Sequence, residues 1–386
     1  MSAGKKPIIV LRFGELWLRG KNRGDYINVL IRNIDMKFSG LKYGLDKHYD
    51  KIVIRPTSSS FNEVLRRAGF LFGISAYEIA YETEPKLAAI TRESCRIMKD
   101  AKGKGAFRIN AHRAHKQHKF NSEDIVIKLA KCAEEKGIPV SPRRYAREIY
   151  ISVSKDVAYI SVSRSKGLGG LPVGSSGRCI ILFSGGIDSP VAAWLAMKRG
   201  LEPVYVHMHA FPNASEVLDS KIPRLIGILS EYHEGYRSYY VPTHRFQVAA
   251  LKSGRYELVM LKRFMLKTAE LLLEKEKSRI IVTGECIGQV ASQTQSNLFS
   301  EEQGINATLI RPLICLDKME IIDMAKKIGT FEESIKEYRD VCSISAKHPV
   351  INSNPKAVLR IENEIKLDHL ASEAVKSAAI IESSIS

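Results

Sequence analysis

The segment Cys179-Ile-Ile-Leu-Phe-Ser-Gly-Gly-Ile-Asp-Ser-Pro190 carries an apolar run into a glycine turn, which opens into Val191-Ala-Ala-Trp-Leu-Ala-Met-Lys-Arg-Gly200. It reads as strand, turn and helix, an order that commits this half of the chain to an α/β arrangement. Gly185 and Gly186 let the backbone turn tightly with its N–H groups exposed, the hydroxyls of Ser184 and Ser189 add donors, and the helix start favours an anion. A phosphate or pyrophosphate fits there. The Gly-x-x-x-x-Gly-Lys-Ser/Thr loop of kinases and GTPases is excluded, because no lysine follows the glycines and Asp188 occupies the turn. That carboxylate would repel a bare phosphate, so it is expected to work through Mg²⁺ or to orient the attacking group.

A Ser-Gly-Gly-x-Asp-Ser turn after a hydrophobic strand resembles the PP-loop of the ATP pyrophosphatases. The resemblance implies cleavage of ATP between its α and β phosphates and transfer of AMP to a carbonyl oxygen.

A chain of 386 residues is expected to form two or three domains with real apolar cores. Its formal net charge of +17 suggests a polyanionic partner, nucleic acid first and a membrane surface second. The second weakens because no apolar run approaches the roughly 18 residues of a spanning helix, and Met-Ser-Ala-Gly-Lys-Lys is not followed by a signal-peptide core. A cytoplasmic protein is expected. Cysteines 95, 132, 179, 286, 315 and 342 lack CxxC spacing, so buried thiols are expected rather than a disulfide scaffold or zinc ribbon.

Before the glycine turn the elements are short and alternate as α+β units. Strands are expected at Pro7–Phe13, Lys51–Arg55 and Ala76–Tyr81, with helices from Tyr26 to about Phe38 and from Asn62 to Leu71. A second unit follows from a helix at Lys86–Lys102, strand Ala106–Asn110, a helix from a Ser122 cap to Gly137, and a hairpin of Glu148–Val153 with Val157–Val162. The glycine-dense stretch to Gly177 reads as a linker. From residue 179 the pattern changes to strands at Ile180–Phe183, Pro203–His209, Ser238–Val241 and Arg279–Thr283 alternating with longer helices. That predicts a doubly wound parallel sheet with ligands at the carboxyl ends of its strands.

Three further segments bear on such a ligand. His207-Met-His209 ends the second strand, as an adenine pocket wall or simply as two histidines without a ligand. Lys262 and Arg263 lie on a helix spanning Arg255 to Lys267, where solvated surface is the default for a lone cation. Gly284-Glu-Cys-Ile-Gly-Gln-Val-Ala-Ser-Gln-Thr294 follows a buried strand and would make an odd structural loop, so a ligand role is expected.

The chain as a whole resembles the tRNA 4-thiouridine synthetases, also called tRNA sulfurtransferases. The resemblance rests on Arg12-Phe-Gly-Glu-Leu-Trp-Leu-Arg-Gly-Lys-Asn-Arg23, Gly169-Gly-Leu-Pro-Val-Gly174, Ser184 to Ser189, Gly284 to Thr294, Ile310-Arg-Pro-Leu313 and Tyr338-Arg-Asp-Val-Cys342. A PP-loop alone would equally suit a GMP synthetase or a tRNA lysidine synthetase. The family resemblance implies an α/β multidomain protein: a ferredoxin-like α+β domain at 1–58, a THUMP α+β domain at 59–165 that holds tRNA through its acceptor end, a linker at 166–178, and a PP-loop ATP pyrophosphatase domain with a helical tail at 179–386.

Under that resemblance Arg108, His112, Arg113, His115, Lys116, His118 and Lys119 become an RNA-facing cluster for phosphate contacts, and Arg143, Arg144 and Arg147 extend it or form a plain charged face. The nucleotide site carries over to Leu182, Phe183, Ser184, Gly185, Gly186, Asp188, Ser189, His207, Met208, Lys262, Gly284 and Gln293. Lys262 would neutralise departing pyrophosphate, and Asp188 would act with Mg²⁺. Adenylation of the C4 oxygen of uridine at position 8 would make AMP the leaving group, and sulfur would displace it to give 4-thiouridine. Cys342 matches the cysteine that approaches the activated base.

Some members carry the persulfide on a rhodanese domain, and the stretch after Cys342 is too short for one, so a cysteine desulfurase or sulfide is the expected donor. Other relatives hold an iron–sulfur cluster through three cysteines, which makes Cys286, Cys315 and Cys342 the candidate ligands against a reading as buried thiols. A homodimer is compatible with the resemblance. The alternative function is a tRNA-binding adenylating protein that does not complete thiolation, one serving thiamine thiazole formation, or another PP-loop tRNA-modifying enzyme.

Overall fold

The computed structural model describes residues 6–101, 103–113, 117–211, 214–290, 293–338, 340–341 and 349–383. Its contacts divide into two compact units, one of Met1–Gly20 with Phe38–Gly169 and one of Lys21–Lys37 with Gly170–Ser386.

In the first unit, β1 (Ile8–Phe13), β2 (Tyr43–Lys47), β3 (Lys51–Pro56), β4 (Ile74–Thr83), β5 (Phe107–Arg113), β6 (Arg147–Val153) and β7 (Ala158–Lys166) form one sheet. Their order is β2-β3-β1-β4-β7-β6-β5. β4 pairs antiparallel with β1 on one side and with β7 on the other, so the expected break after residue 58 falls inside a continuous sheet. β2 is a strand that sequence reading missed. Its Tyr-Gly-Leu-Asp-Lys has little apolar content and is held by pairing with β3. Apolar side chains of helices Leu87–Asp100 and Ser122–Glu135, among them Ile90, Met98, Ile125 and Leu129, pack on Phe107, Ile149, Ile151 and Ile160 of the strands. The second of these helices is capped one residue earlier than expected. Asn121 Oδ1 accepts from Asp124 N at 2.9 Å and Asp124 Oδ2 accepts from Asn121 N at 2.7 Å, a reciprocal cap that makes Ser122 the first helical residue.

In the second unit, β8 (Arg178–Leu182), β9 (Glu202–His209), β10 (Tyr236–Pro242), β11 (Ile280–Val282), β12 (Thr308–Ile310) and β13 (Ala379–Ser383) form a sheet ordered β12-β11-β8-β9-β10-β13. The first five run parallel, and β13 closes the edge antiparallel to β10. A parallel sheet is covered on both faces, which is why β8 and β9 read as near-continuous apolar runs. The C-terminal segment is therefore not only helical. Helices Pro355–Ile365 and Leu367–Lys376 bury Val358, Ile361, Leu367 and Ala371 in the core before the chain adds its strand. The helix Arg23–Lys37 also belongs to this unit, where Asn33 Nδ2 donates to the Val173 carbonyl at 3.0 Å.

The glycine-dense stretch is held rather than slack. In the first unit a Cβ on Gly167 would lie 2.2 Å from the Ile74 carbonyl oxygen, and in the second one on Gly170 would lie 2.1 Å from that of Lys198. Glycine is required there by close backbone approach.

Candidate active site

Strand order reverses beside β8: the chain goes from β8 to β9 and β10 on one side, then returns to β11 on the other. Such a switch point opens a crevice at the carboxyl ends of the two strands. A cleft of about 520 Å³ lies there, lined by Leu182 at the end of β8 and Ser184, Asp188 and Ser189 after it, by Thr283, Gly284, Glu285, Val290 and Gln293 after β11, and by Leu258, Lys262, Met265, Leu266, Asp340 and Pro349. That volume suits a nucleotide-sized ligand.

The turn after β8 is tied by its own serines. Ser189 Oγ accepts from Ser184 N and donates to Ser184 O, each at 2.9 Å, while Ser184 Oγ accepts from Gly186 N at 3.3 Å. The Ser189 hydroxyl is thus spent inside the loop, contrary to the expectation of two free hydroxyl donors. The anion-binding capacity lies in the backbone. Helix Asp188–Lys198 starts without a side-chain cap, so its first N–H groups have no partner from the N-cap residue, and Pro190 is tolerated because it sits in the first turn.

Gly284 is set by the same turn. A Cβ there would lie 2.9 Å from Ser189 N and 3.0 Å from Asp188 C, both of them backbone atoms that cannot swing away. Gly284→Ala is therefore expected to cost about 1–3 kcal/mol through backbone displacement, read as a lowered melting temperature. An unchanged melting temperature would show that the two segments separate freely.

Asp188 is held on both oxygens: Lys318 Nζ donates to Oδ1 at 2.6 Å and Gln289 Nε2 to Oδ2 at 3.0 Å. Sequence reading placed Glu285 and Gln289 in a ligand loop and Asp340 in a family motif without giving any of them a role, and it did not single out Lys318. Lys318 opens helix Lys318–Ile328, whose Asp317–Glu320 capping box is a visible signal for the helix but not for its convergence on Asp188. Lys262 and Arg311 flank the buried Glu285, at 3.4 Å and 2.9 Å, and Thr283 donates to it at 3.0 Å. Burial alone would raise the Glu285 pKa, but Lys262 and Arg311 outweigh it and hold the carboxyl below its usual range.

The surface default for Lys262 and Arg263 is corrected. Lys262 lines the cleft, and Arg263 is only 1% exposed, donating to the carbonyls of Ser300, Glu301 and Gln303 and to Glu362. No local pattern in helix Glu257–Lys275 announces this, because the partners come from two other helices.

The structure separates the remaining nucleotide-site candidates. Leu182, Ser184, Asp188, Ser189, Lys262, Gly284 and Gln293 line the cleft, while Phe183, Gly185 and Gly186 belong to the turn after β8 and His207 and Met208 to the end of β9. Gln293 Oε1 is buried without a partner among the described residues. His207 is buried, with Nδ1 2.8 Å from the Phe183 carbonyl and Nε2 2.7 Å from the Tyr338 hydroxyl, so its ring serves the loop rather than the cleft. Burial, partly offset by the Phe183 carbonyl and Asp340, lowers its pKa to about 4. A histidine depressed from 6.5 contributes stability that is complete above pH 6.5 and is lost as pH falls towards 4. Thermal melts of the protein and of His207→Gln should converge over that window, and parallel curves would contradict the assignment.

Cys286 is buried and its thiol donates to the Leu313 carbonyl at 2.9 Å, while Cys315 is exposed. Among the described residues no group of three or more His, Cys, Asp or Glu side chains is placed to hold a metal ion. Cys342 lies outside the described residues, as do His115 and Lys116 of the basic cluster.

In the first unit the rest of that cluster divides in two. Arg108, His112, Lys119, Arg143 and Arg144 are exposed. Arg113 instead donates to the carbonyls of His118 and Phe120, Arg147 donates to those of Ala101 and Gly105 while stacking on Phe107, and His118 binds the Ser154 carbonyl. These three brace the backbone. Among the described residues no helix is long and apolar enough to cross a membrane.

A parallel sheet with an uncapped helix start, a cation-held aspartate and a cleft at its switch point defines a nucleotide-binding α/β protein of the PP-loop class. Residues 174–367 match the family model described as thiamine biosynthesis protein (ThiI), residues 8–77 the ThiI ferredoxin-like domain, and residues 85–163 the THUMP domain. The chain belongs to the ThiI family. A probable tRNA sulfurtransferase of a Thermoanaerobacter species is 34% identical over 94% of this chain and 96% of its own. One from Geobacillus thermodenitrificans is 33% identical over 97% and 95%. A crystal structure of a 4-thiouridine synthetase–RNA complex with bound ATP superposes with a TM-score of 0.87 at 30% identity, covering 98% of this chain and all of that one.

Proposed function

We propose that the protein is an ATP-dependent tRNA sulfurtransferase that converts uridine at position 8 to 4-thiouridine. The observation that carries this reading is Asp188 at an uncapped helix start, bound by Lys318 on the wall of a nucleotide-sized cleft. Relatives named as tRNA sulfurtransferases over nearly the whole length support the substrate.

The backbone of Leu182 and Phe183 would meet adenosine, with Met208 and the His207 backbone beneath. Ser184, Gly185, Gly186, Asp188 and Ser189 would surround the phosphates, and Gln293 Oε1 would accept from the adenine amino group. Gly284 brings the two loops together. Lys262 would offset charge on departing pyrophosphate. A site that already attracts the Lys318 cation fits Mg²⁺, which Asp188 and Asp340 would hold beside phosphate oxygens, where it would stabilise charge on the leaving group.

Uridine O4 displaces pyrophosphate from the α-phosphorus, and sulfur then adds at C4 and expels AMP with the original oxygen. Sulfide does this without redox change. A persulfide on Cys342 leaves a C4–S–S link, which a second thiol must cleave as a disulfide. The donor in this reading is a cysteine desulfurase or free sulfide. For Cys286, burial and the bond to Leu313 favour a protonated packing thiol over ligation in a cluster, since a ligand must be a thiolate. The exposed Arg108, His112, Lys119, Arg143 and Arg144, with Lys116, would contact tRNA phosphates, while Arg113 supports them structurally. The reading places the protein in the cytoplasm, and a homodimer is compatible with it.

The test is incubation with unmodified tRNA, ATP, Mg²⁺ and sulfide, followed by nucleoside mass analysis. 4-Thiouridine is the expected product. ATP turnover without it would favour an adenylating protein that does not complete thiolation.

A further inference from the structure

Two contacts fasten the segment ahead of Cys342 to the turn after β8. Lys221, at the start of helix Lys221–Ser230, is 6% exposed, and its Nζ donates to the carbonyls of Ser334 and Lys336, both at 2.6 Å. Its stem lies against the turn itself, since a Cβ on Gly185 would come within 2.8 Å of Lys221 Cε. The second contact is the chain from Tyr338 through His207 to Phe183.

The direction of that chain is fixed by its ends. The Phe183 carbonyl only accepts, so Nδ1 of the neutral His207 ring carries the proton and Nε2 must accept from Tyr338. Burial first and Asp340 second push the Tyr338 pKa up, so its hydroxyl stays a donor. The Tyr338 ring also packs on Phe211 at 5.9 Å between centroids. Phe183 immediately precedes Ser184, and Val341, buried in the core, immediately precedes Cys342. Neither Lys221 nor Tyr338 lines the cleft.

We propose that Tyr338 and Lys221 are positioning residues that hold the segment from Ser334 to Tyr338 on the adenylation loop, and so govern sulfur transfer rather than nucleotide binding. The inference rests on the thiolation reading for its consequence, while the anchoring itself is a property of the fold. Two buried lysine bonds to carbonyls and a directed tyrosine bond are more than a surface loop needs to be ordered.

Tyr338→Phe removes one hydroxyl and keeps the ring. Lys221→Met removes the second anchor. In each variant the ATP KM for tRNA-dependent pyrophosphate release should stay within about twofold of the parent, while 4-thiouridine formed per AMP released falls about tenfold. Amides from Lys336 to Tyr338 should exchange with deuterium about tenfold faster, with the exchange of β8 and β9 unchanged. An unchanged product-to-AMP ratio, or a parallel fall of both steps together with the melting temperature, would overturn the positioning role. If the parent protein makes no 4-thiouridine, the functional reading fails, and unchanged exchange in both variants would then sink the anchoring separately.

Discussion

Asp188→Asn is expected to lower tRNA-dependent pyrophosphate release by about 10²–10³-fold in a protein that remains folded. The substitution keeps the shape of the side chain and one acceptor for Gln289, but removes the charge that binds Lys318 at 2.6 Å. Loss of a carboxylate from a first helical turn costs stability of only about 0.3–1 kcal/mol, far less than the catalytic effect. Lys318→Met should reproduce much of the loss, because the pair acts as a unit and the effects of the two substitutions should not add. A rate within about threefold of the parent for Asp188→Asn would remove the carboxylate from the reaction and leave it a helix-terminus residue.

The largest stability effect is expected one helix away, at the buried Arg263 side chain outside the cleft. Arg263→Met should destabilise the fold by about 3–5 kcal/mol, because it strips the buried Glu362 carboxylate of its closest cation and frees three carbonyls. Two of those carbonyls, Ser300 and Glu301, end the helix Gln295–Glu302, so the guanidinium also caps that helix from the side. Lys267 Nζ, 3.7 Å from Glu362, retains part of the charge balance and keeps the loss from being larger. Urea unfolding measures it. Lys262→Met, at the adjacent position, should shift the midpoint far less, because Arg311 still pairs with Glu285. Equal shifts for the two variants would contradict the distinction between a buried brace and a cleft residue.

That contrast marks what the sequence made legible. β8, β9, β10 and β11 were readable because buried parallel strands are continuous apolar runs, and the turn at Ser184–Ser189 was readable because its glycines and aspartate are adjacent in the chain. β12 has three residues, and β13 follows two helices at the sheet edge. Neither carries a period long enough to separate it from a loop. Lys318 and Gln289 were invisible as partners of Asp188 because they arrive from segments 130 and 101 residues away. Lys262 and Arg263 look alike in sequence, and only helix phase against two other elements divides them. The basic cluster shows the same limit. Its guanidiniums are identical in sequence, yet Arg113 and Arg147 are consumed by backbone carbonyls while Arg143 and Arg144 face solvent.

In the proposed reaction the uridine oxygen leaves on AMP. Unmodified tRNA carrying ¹⁸O at uridine C4, incubated with the protein, ATP, Mg²⁺ and sulfide, tests it by mass analysis of the released AMP. One ¹⁸O in AMP is expected for each 4-thiouridine formed. Label appearing in water or inorganic phosphate, with AMP unlabelled, would contradict it.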